Sequence, residues 1–285
     1  MIRLVNLKKF LSWLIRKYRR IIHYYLYKEY DDNPLGVSVR RIKSREYQEI
    51  ARTVSSSIDL QFIDNIENDF GYIINQSFID DLSLVTQITI KTTIPMYLHG
   101  YLLYGSLRNY LDDNPSISSF NILETGTARG FSAVIMAKAL SDANRQGRIF
   151  TIDILPATKP IYWNCIRDCG GKTTRIKLLE KWRELLDDYI IFVNGYSDIL
   201  LKQIEISRIH FAFVDGGHDY RTVCNDLEYV RDHQLGGDIL IVDDYDSENY
   251  PGVVSAVDEM VVPDLYSCKI YNTKTSRKYM YCRRI

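Results

Sequence analysis

Carboxylates and one imidazole stand at a few positions of this 285-residue chain where short apolar runs end. Asp215-Gly-Gly-His218 follows one run, Asp243-Asp244 another, and Asp153 a third. If those runs are neighbouring strands, Asp215, Asp243 and Asp244 converge at one sheet edge with His218 close behind. Three carboxylates in one cleft repel one another unless a cation or a proton is shared among them. A divalent, oxygen-liking ion such as Mg²⁺ would meet that need; the plainer alternative is that one or two of the acids cap helices. His218 beside them is a candidate general base or extra ligand, because imidazole titrates near neutrality and suits proton removal from a hydroxyl. A lone histidine is more often structural.

The segment Glu124-Thr-Gly-Thr-Ala-Arg-Gly130 closes an earlier apolar run. Gly126 allows a tight turn with close backbone approach, and Gly130 opens the helical stretch that follows. The spacing is not the GxGxxG of a dinucleotide-binding turn, which disfavours a nucleotide-dependent oxidoreductase. Asp153 lies twenty-seven residues after Gly126. An acid there can accept two ribose hydroxyls; otherwise it is a surface-loop acid. Asn194-Gly-Tyr-Ser-Asp198 ends a further run, so that Ser197 either meets an adenine edge or caps a helix.

Alternating elements must hold these residues. Strands are predicted at Phe120–Thr125, Arg148–Ile154, Ile190–Asn194, His210–Asp215, Asp238–Asp243, Cys268–Asn272 and Lys278–Cys282. Helices are predicted between the first five and after them, near Phe131–Ser141, Ile161–Leu186, Asp198–Ile204, Tyr220–His233 and Val253–Met260. Short, mostly apolar strands separated by helices imply an α/β, doubly wound, mostly parallel seven-stranded sheet with a terminal hairpin. Ligands of such sheets bind outside the carboxyl ends of the strands. A helix is also predicted from Thr93, with Pro95 in its first turn, toward Leu111. Its Tyr97, His99 and Tyr101 either roof the pocket or pack in the core. Residues 38–90 read as short helices and loops.

Glu124–Gly130, Asp153, Val214-Asp-Gly-Gly-His218 and Gly236-Gly-Asp-Ile-Leu-Ile-Val-Asp-Asp-Tyr245 together resemble class I S-adenosylmethionine-dependent methyltransferases. Within them the chain is similar to the macrocin-type sugar O-methyltransferase group, to which Pro251–Asp258 adds likeness. The resemblance spans residues 93–285. It implies that Glu124 and Gly126 line the methionine end of S-adenosylmethionine, with Thr127, Gly130, Ser132, Ser197 and Asp215 in the same cofactor set and Asp153 on the ribose. It also implies a divalent metal, Mg²⁺, on Asp215, Asp243 and Asp244; read from the residues themselves, His218 and Asp215 are the candidate catalytic residues. Gly-Gly-His after Asp215 departs from the group, where an acid commonly follows the first glycine. The implied acceptor is a sugar or another polyhydroxylated small molecule.

Three regions follow: residues 1–32, a basic amphipathic helix; 33–118, a helical lead-in; and 119–285, the S-adenosylmethionine-binding domain. The first thirty residues hold eight Lys/Arg and one acid, Glu29, with apolar residues recurring every three to four positions. That pattern suits a peripheral contact with an anionic membrane, or docking on its own domain or on a second subunit of a homo-oligomer. A methyltransferase-fold protein that only binds, at a membrane surface, is the alternative from another class. No apolar stretch reaches the roughly 18 residues of a transmembrane helix. Thirty-six basic residues balance thirty-six acidic ones, so no nucleic-acid partner is expected. Five irregularly spaced cysteines suggest the reduced thiols of a cytoplasmic protein.

Overall fold

A computed structural model describes residues 33–35, 43–91, 95–275 and 277–285. The predicted amphipathic helix over 1–32 lies outside the described residues, as do Thr93 and Ile94. Three helices come first: α1 (Ser44–Ser56), α2 (Leu60–Phe70) and α3 (Gln76–Thr86). Asp59 and Asn75 cap the second and third by accepting the N–H of Phe62 and Phe78. The next helix, α4, spans His99–Asp113 rather than starting at Thr93. Pro95–Tyr97 are non-helical, so Pro95 precedes the helix instead of lying in its first turn.

The sheet contains β1 (Ser119–Thr125), β2 (Gln146–Asp153), β3 (Ile190–Asn194), β4 (Phe211–Val214), β5 (Ile239–Val242), β6 (Tyr266–Asn272) and β7 (Lys278–Arg284). Their order is β3-β2-β1-β4-β5-β7-β6. The first five are parallel, and β7 runs antiparallel to both β5 and β6. Ile239–Val242 and Phe211–Val214 are buried at every position, as strands covered on both faces must be.

One face is covered by α5 (Phe131–Asp142), apolar almost all round, with α4 packed above it; the other by α9 (Tyr220–His233) and α10 (Pro251–Met260). Short α6 (Arg175–Leu178), α7 (Arg183–Tyr189) and α8 (Ser197–Leu200) complete the connections. The early helices join the sheet's own core: Phe62 and Phe70 pack against Tyr271, Tyr279 and Tyr281 of the hairpin. Some tyrosines serve such layer boundaries, ring buried and hydroxyl donating to a carboxylate, as Tyr110 to Asp238 and Tyr271 to Asp69.

The single helix predicted over Ile161–Leu186 is broken. Asp168 accepts the N–H of Trp163 and Cys165, and Ile161 pairs with Thr173 across Gly170-Gly171. A side-chain acceptor competes with helical bonding there, and the glycines supply the turn. Cys268 and Cys282 lie directly opposite on β6 and β7 and form a disulfide, correcting the expectation of reduced thiols for that pair. Cys165 is a buried thiol. Among the described residues no helix is long and apolar enough to cross a membrane.

Candidate active site

The carboxyl ends of β1, β2 and β4 meet around Gly126. Its φ is +94°, and a Cβ there would lie 1.8 Å from the carbonyl oxygen of Asp215. No other residue fits, so the β1 and β4 loops touch through backbone alone. Beneath this turn Glu124 is fully buried and accepts the hydroxyls of Ser132 and Thr151. Thr151 also lies 2.5 Å from the Thr127 hydroxyl. Burial pushes the Glu124 carboxyl up to about 7, against the pull of those hydroxyls. Glu124, Thr127 and Ser132 are therefore one hydrogen-bonded support under the loop, completed by Thr151, which sequence reasoning passed over. Gly130 opens α5 at the end of this loop.

Asp153 is not a free surface acid. Its two oxygens accept the N–H groups of Ala128 at 2.5 Å and Leu155 at 2.6 Å, tying the β1 and β2 loops together. The buried Arg175 guanidinium lies 3.8 Å away and donates to the carbonyls of Ala128 and Leu155. Burial raises the Asp153 pKa, with Arg175 the main opposing charge. Arg175 was hidden in the stretch read as one long helix. Next to Asp153, residues Ile154, Leu155, Asn194, Gly195 and Tyr196 line part of a cavity of about 210 Å³. Ser197 opens α8, but Tyr196 holds the cap position and no side chain caps this helix. The capping alternative for Ser197 is thus set aside.

The acidic group at β4 and β5 differs from the expected arrangement. Asp243 is buried and held by both nitrogens of the Arg277 fork, Nε lying 3.0 Å from Oδ1. The same Oδ1 also accepts the Asp244 N–H at 2.6 Å. Asp244 sits in the left-handed region at φ +54°, which turns its Oδ2 to within 3.0 Å of His218 Nε2. Its other oxygen lies 3.5 Å from Arg277. The His218 ring packs 4.6 Å from that of Tyr250, half exposed. Hydrogen bonding to Asp244 raises its pKa, outweighing burial. Burial, then the neighbouring Asp243, raise the Asp215 carboxyl well above its ordinary value.

The ligand atoms that converge, within 4.8 Å, belong to Asp215, His218 and Asp244 rather than to three aspartates. The cation that relieves the carboxylates is Arg277, carried on the distant hairpin. An Mg²⁺ site at Asp215, Asp243 and Asp244 does not fit this arrangement: Asp243 is spent on Arg277, and the remaining set includes an imidazole, which Mg²⁺ rarely takes. Tyr97, His99 and Tyr101 do not roof the pocket. All three are buried, the phenols bonding Asp80 and Gln76 on α3 and His99 lying against Phe131. Burial drives the His99 imidazole down to about 3.

Residues 123–245, somewhat less than half the chain, match the family described as a methyltransferase domain. No curated protein matches the sequence. Among solved structures the chain is similar to the O-methyltransferase NovP, at 18% identity and a TM-score of 0.52, over 73% of this chain and 98% of that one. It is also similar to an O-methyltransferase from Bacillus cereus solved in complex with SAH, at 16% identity and a TM-score of 0.52, over 78% and 97% of the two chains. These likenesses and the strand order define a Rossmann-like class I methyltransferase fold.

Proposed function

We propose that this protein transfers a methyl group from S-adenosylmethionine to a hydroxyl oxygen of a small polyhydroxylated acceptor, a sugar or a relative of one. The observation that carries the reading is the His218–Asp244 pair, set one loop away from the Gly126 turn at the carboxyl edge of a methyltransferase domain. The cofactor supplies a methyl already activated on a positive sulfur. The protein's work is then to align the acceptor and to take its proton. Asp244, at 3.0 Å, orients His218 through Nε2 and stabilises the imidazolium, leaving Nδ1 to accept the proton. The support under Gly126, the Asp153 carboxylate and Ser197 frame the methionine, ribose and adenine ends of the cofactor. A dinucleotide oxidoreductase is the weaker reading, since the loop lacks the third-glycine spacing.

A screen of hydroxylated acceptors with methyl-labelled cofactor, with and without Mg²⁺ and excess chelator, tests this function. Label should appear on an acceptor oxygen at the same rate in chelator, because Arg277 already compensates Asp243. Abolition by chelator, with recovery on adding a divalent ion, would make His218 a ligand and remove it as the base.

Residues 1–30 support a peripheral contact with an anionic membrane through their basic, amphipathic spacing. The full chain should sediment with anionic vesicles, progressively less as salt rises, while a chain starting at Asn33 should not. If the shorter chain instead changes its oligomeric state, the segment is a subunit contact.

A further inference from the structure

Asp226 has no part in the site as described. It sits on α9, 1% exposed, and neither carboxylate oxygen has a hydrogen-bond partner among the described residues. The Thr125 hydroxyl, at the end of β1, is likewise buried and unpartnered. The two meet at Gly216 behind the β4 loop. A Cβ on Gly216 would lie 3.2 Å from Thr125 Oγ1 and 3.4 Å from Asp226 Oδ2. Burial pushes the Asp226 carboxyl up to about 6, and the hydroxyls of Ser197 and Thr125 are the groups that pull it back, with Asp198 and Asp219 adding repulsion. By geometry, Thr125 Oγ1 and Asp226 Oδ2 face the same space at Gly216, and neither is hydrogen-bonded among the described residues. A buried carboxylate left in this condition costs stability. Nothing else in α9 requires an acid there, since Val223, Leu227 and Val230 around it are apolar core.

We infer that Asp226 is a positioning residue for cofactor binding: its carboxylate accepts the Ser197 and Thr125 hydroxyls when the β3 and β1 loops close on the cofactor. The inference rests on the proposed S-adenosylmethionine site. It places the cost in the free protein and the gain in the complex, which separates it from an ordinary core role. The contacts span the two strand ends that flank β2, so one side chain on α9 links the adenine-side and methionine-side loops.

Calorimetric titration with S-adenosylmethionine and thermal melting of the same samples test the idea. Asp226→Leu should melt higher, by about 2–4 °C, because an unpartnered buried acid is replaced by an apolar side chain of similar size. It should nevertheless bind the cofactor at least tenfold more weakly. Asp226→Asn, which still accepts a hydroxyl, should bind within about threefold of wild type. Ser197→Ala should weaken binding in the wild type and add little on the Asp226→Leu background. Melting and affinity falling together in Asp226→Leu would make the residue structural, and unchanged affinity would also overturn the inference. Absence of binding by the wild type would instead refute the cofactor site on which it rests.

Discussion

His218→Ala should slow methyl transfer by about 10²–10⁴-fold, the usual span for loss of a positioned general base, while leaving cofactor affinity nearly unchanged. Asp244 holds the imidazole at 3.0 Å and raises its pKa, so the base is neutral only above a value higher than an unperturbed histidine's. The rate should therefore fall as pH falls through that raised value, and Asp244→Asn should move the acid limb down toward about 6.5. The sign for stability is opposite. The His218–Asp244 pair contributes fully below the ordinary imidazole range, and its contribution is lost as pH rises through the raised value. A pH profile of turnover in the two variants checks both. An alanine variant within tenfold of wild type would place the base elsewhere.

Arg277→Met should cost about 3–5 kcal/mol of unfolding free energy, because it leaves the buried Asp243 carboxylate without its cation. Arg277→Lys keeps the charge but loses the two-pronged contact, and should cost less. Adding Asp243→Leu to Arg277→Met should recover much of the loss, since replacing both partners of a buried pair is far milder than stranding one. Urea denaturation of the three variants measures this directly. Equal stability of Arg277→Met and wild type would mean that Asp243 finds another partner, reopening it as a metal ligand.

Both expectations depend on contacts of different legibility. Strand ends are readable, because apolar runs of four to eight residues between helical stretches have few other uses, and Gly126, Asp153, Asp215 and Asp244 followed from them. The doubly wound, mostly parallel sheet and its terminal hairpin came from the same alternation, though not the order of the strands. Arg277 was not readable: its pairing with Asp243 depends on β7 inserting beside β5, a tertiary fact with no local pattern. The long helix expected over Ile161–Leu186 failed because Asp168 draws backbone donors into a turn, which apolar spacing cannot register. Tyr97 and Tyr101 were ambiguous for the reason that tyrosine suits both a pocket and a layer boundary; only their bonds to Asp80 and Gln76 decided it. Arg175 was not legible because its partners are carbonyls on loops twenty and forty-seven positions away in the chain.

Calorimetric titration of the full chain with S-adenosylmethionine and, separately, with NAD tests the central claim most directly. One site for S-adenosylmethionine and none for NAD is the predicted result. Asp153→Ala should weaken that site by about 1.5–3 kcal/mol, the range for hydrogen bonds to a charged group. No heat with S-adenosylmethionine, equal binding of NAD, or an Asp153→Ala variant that binds like wild type would contradict a cofactor site at the carboxyl ends of β1 and β2.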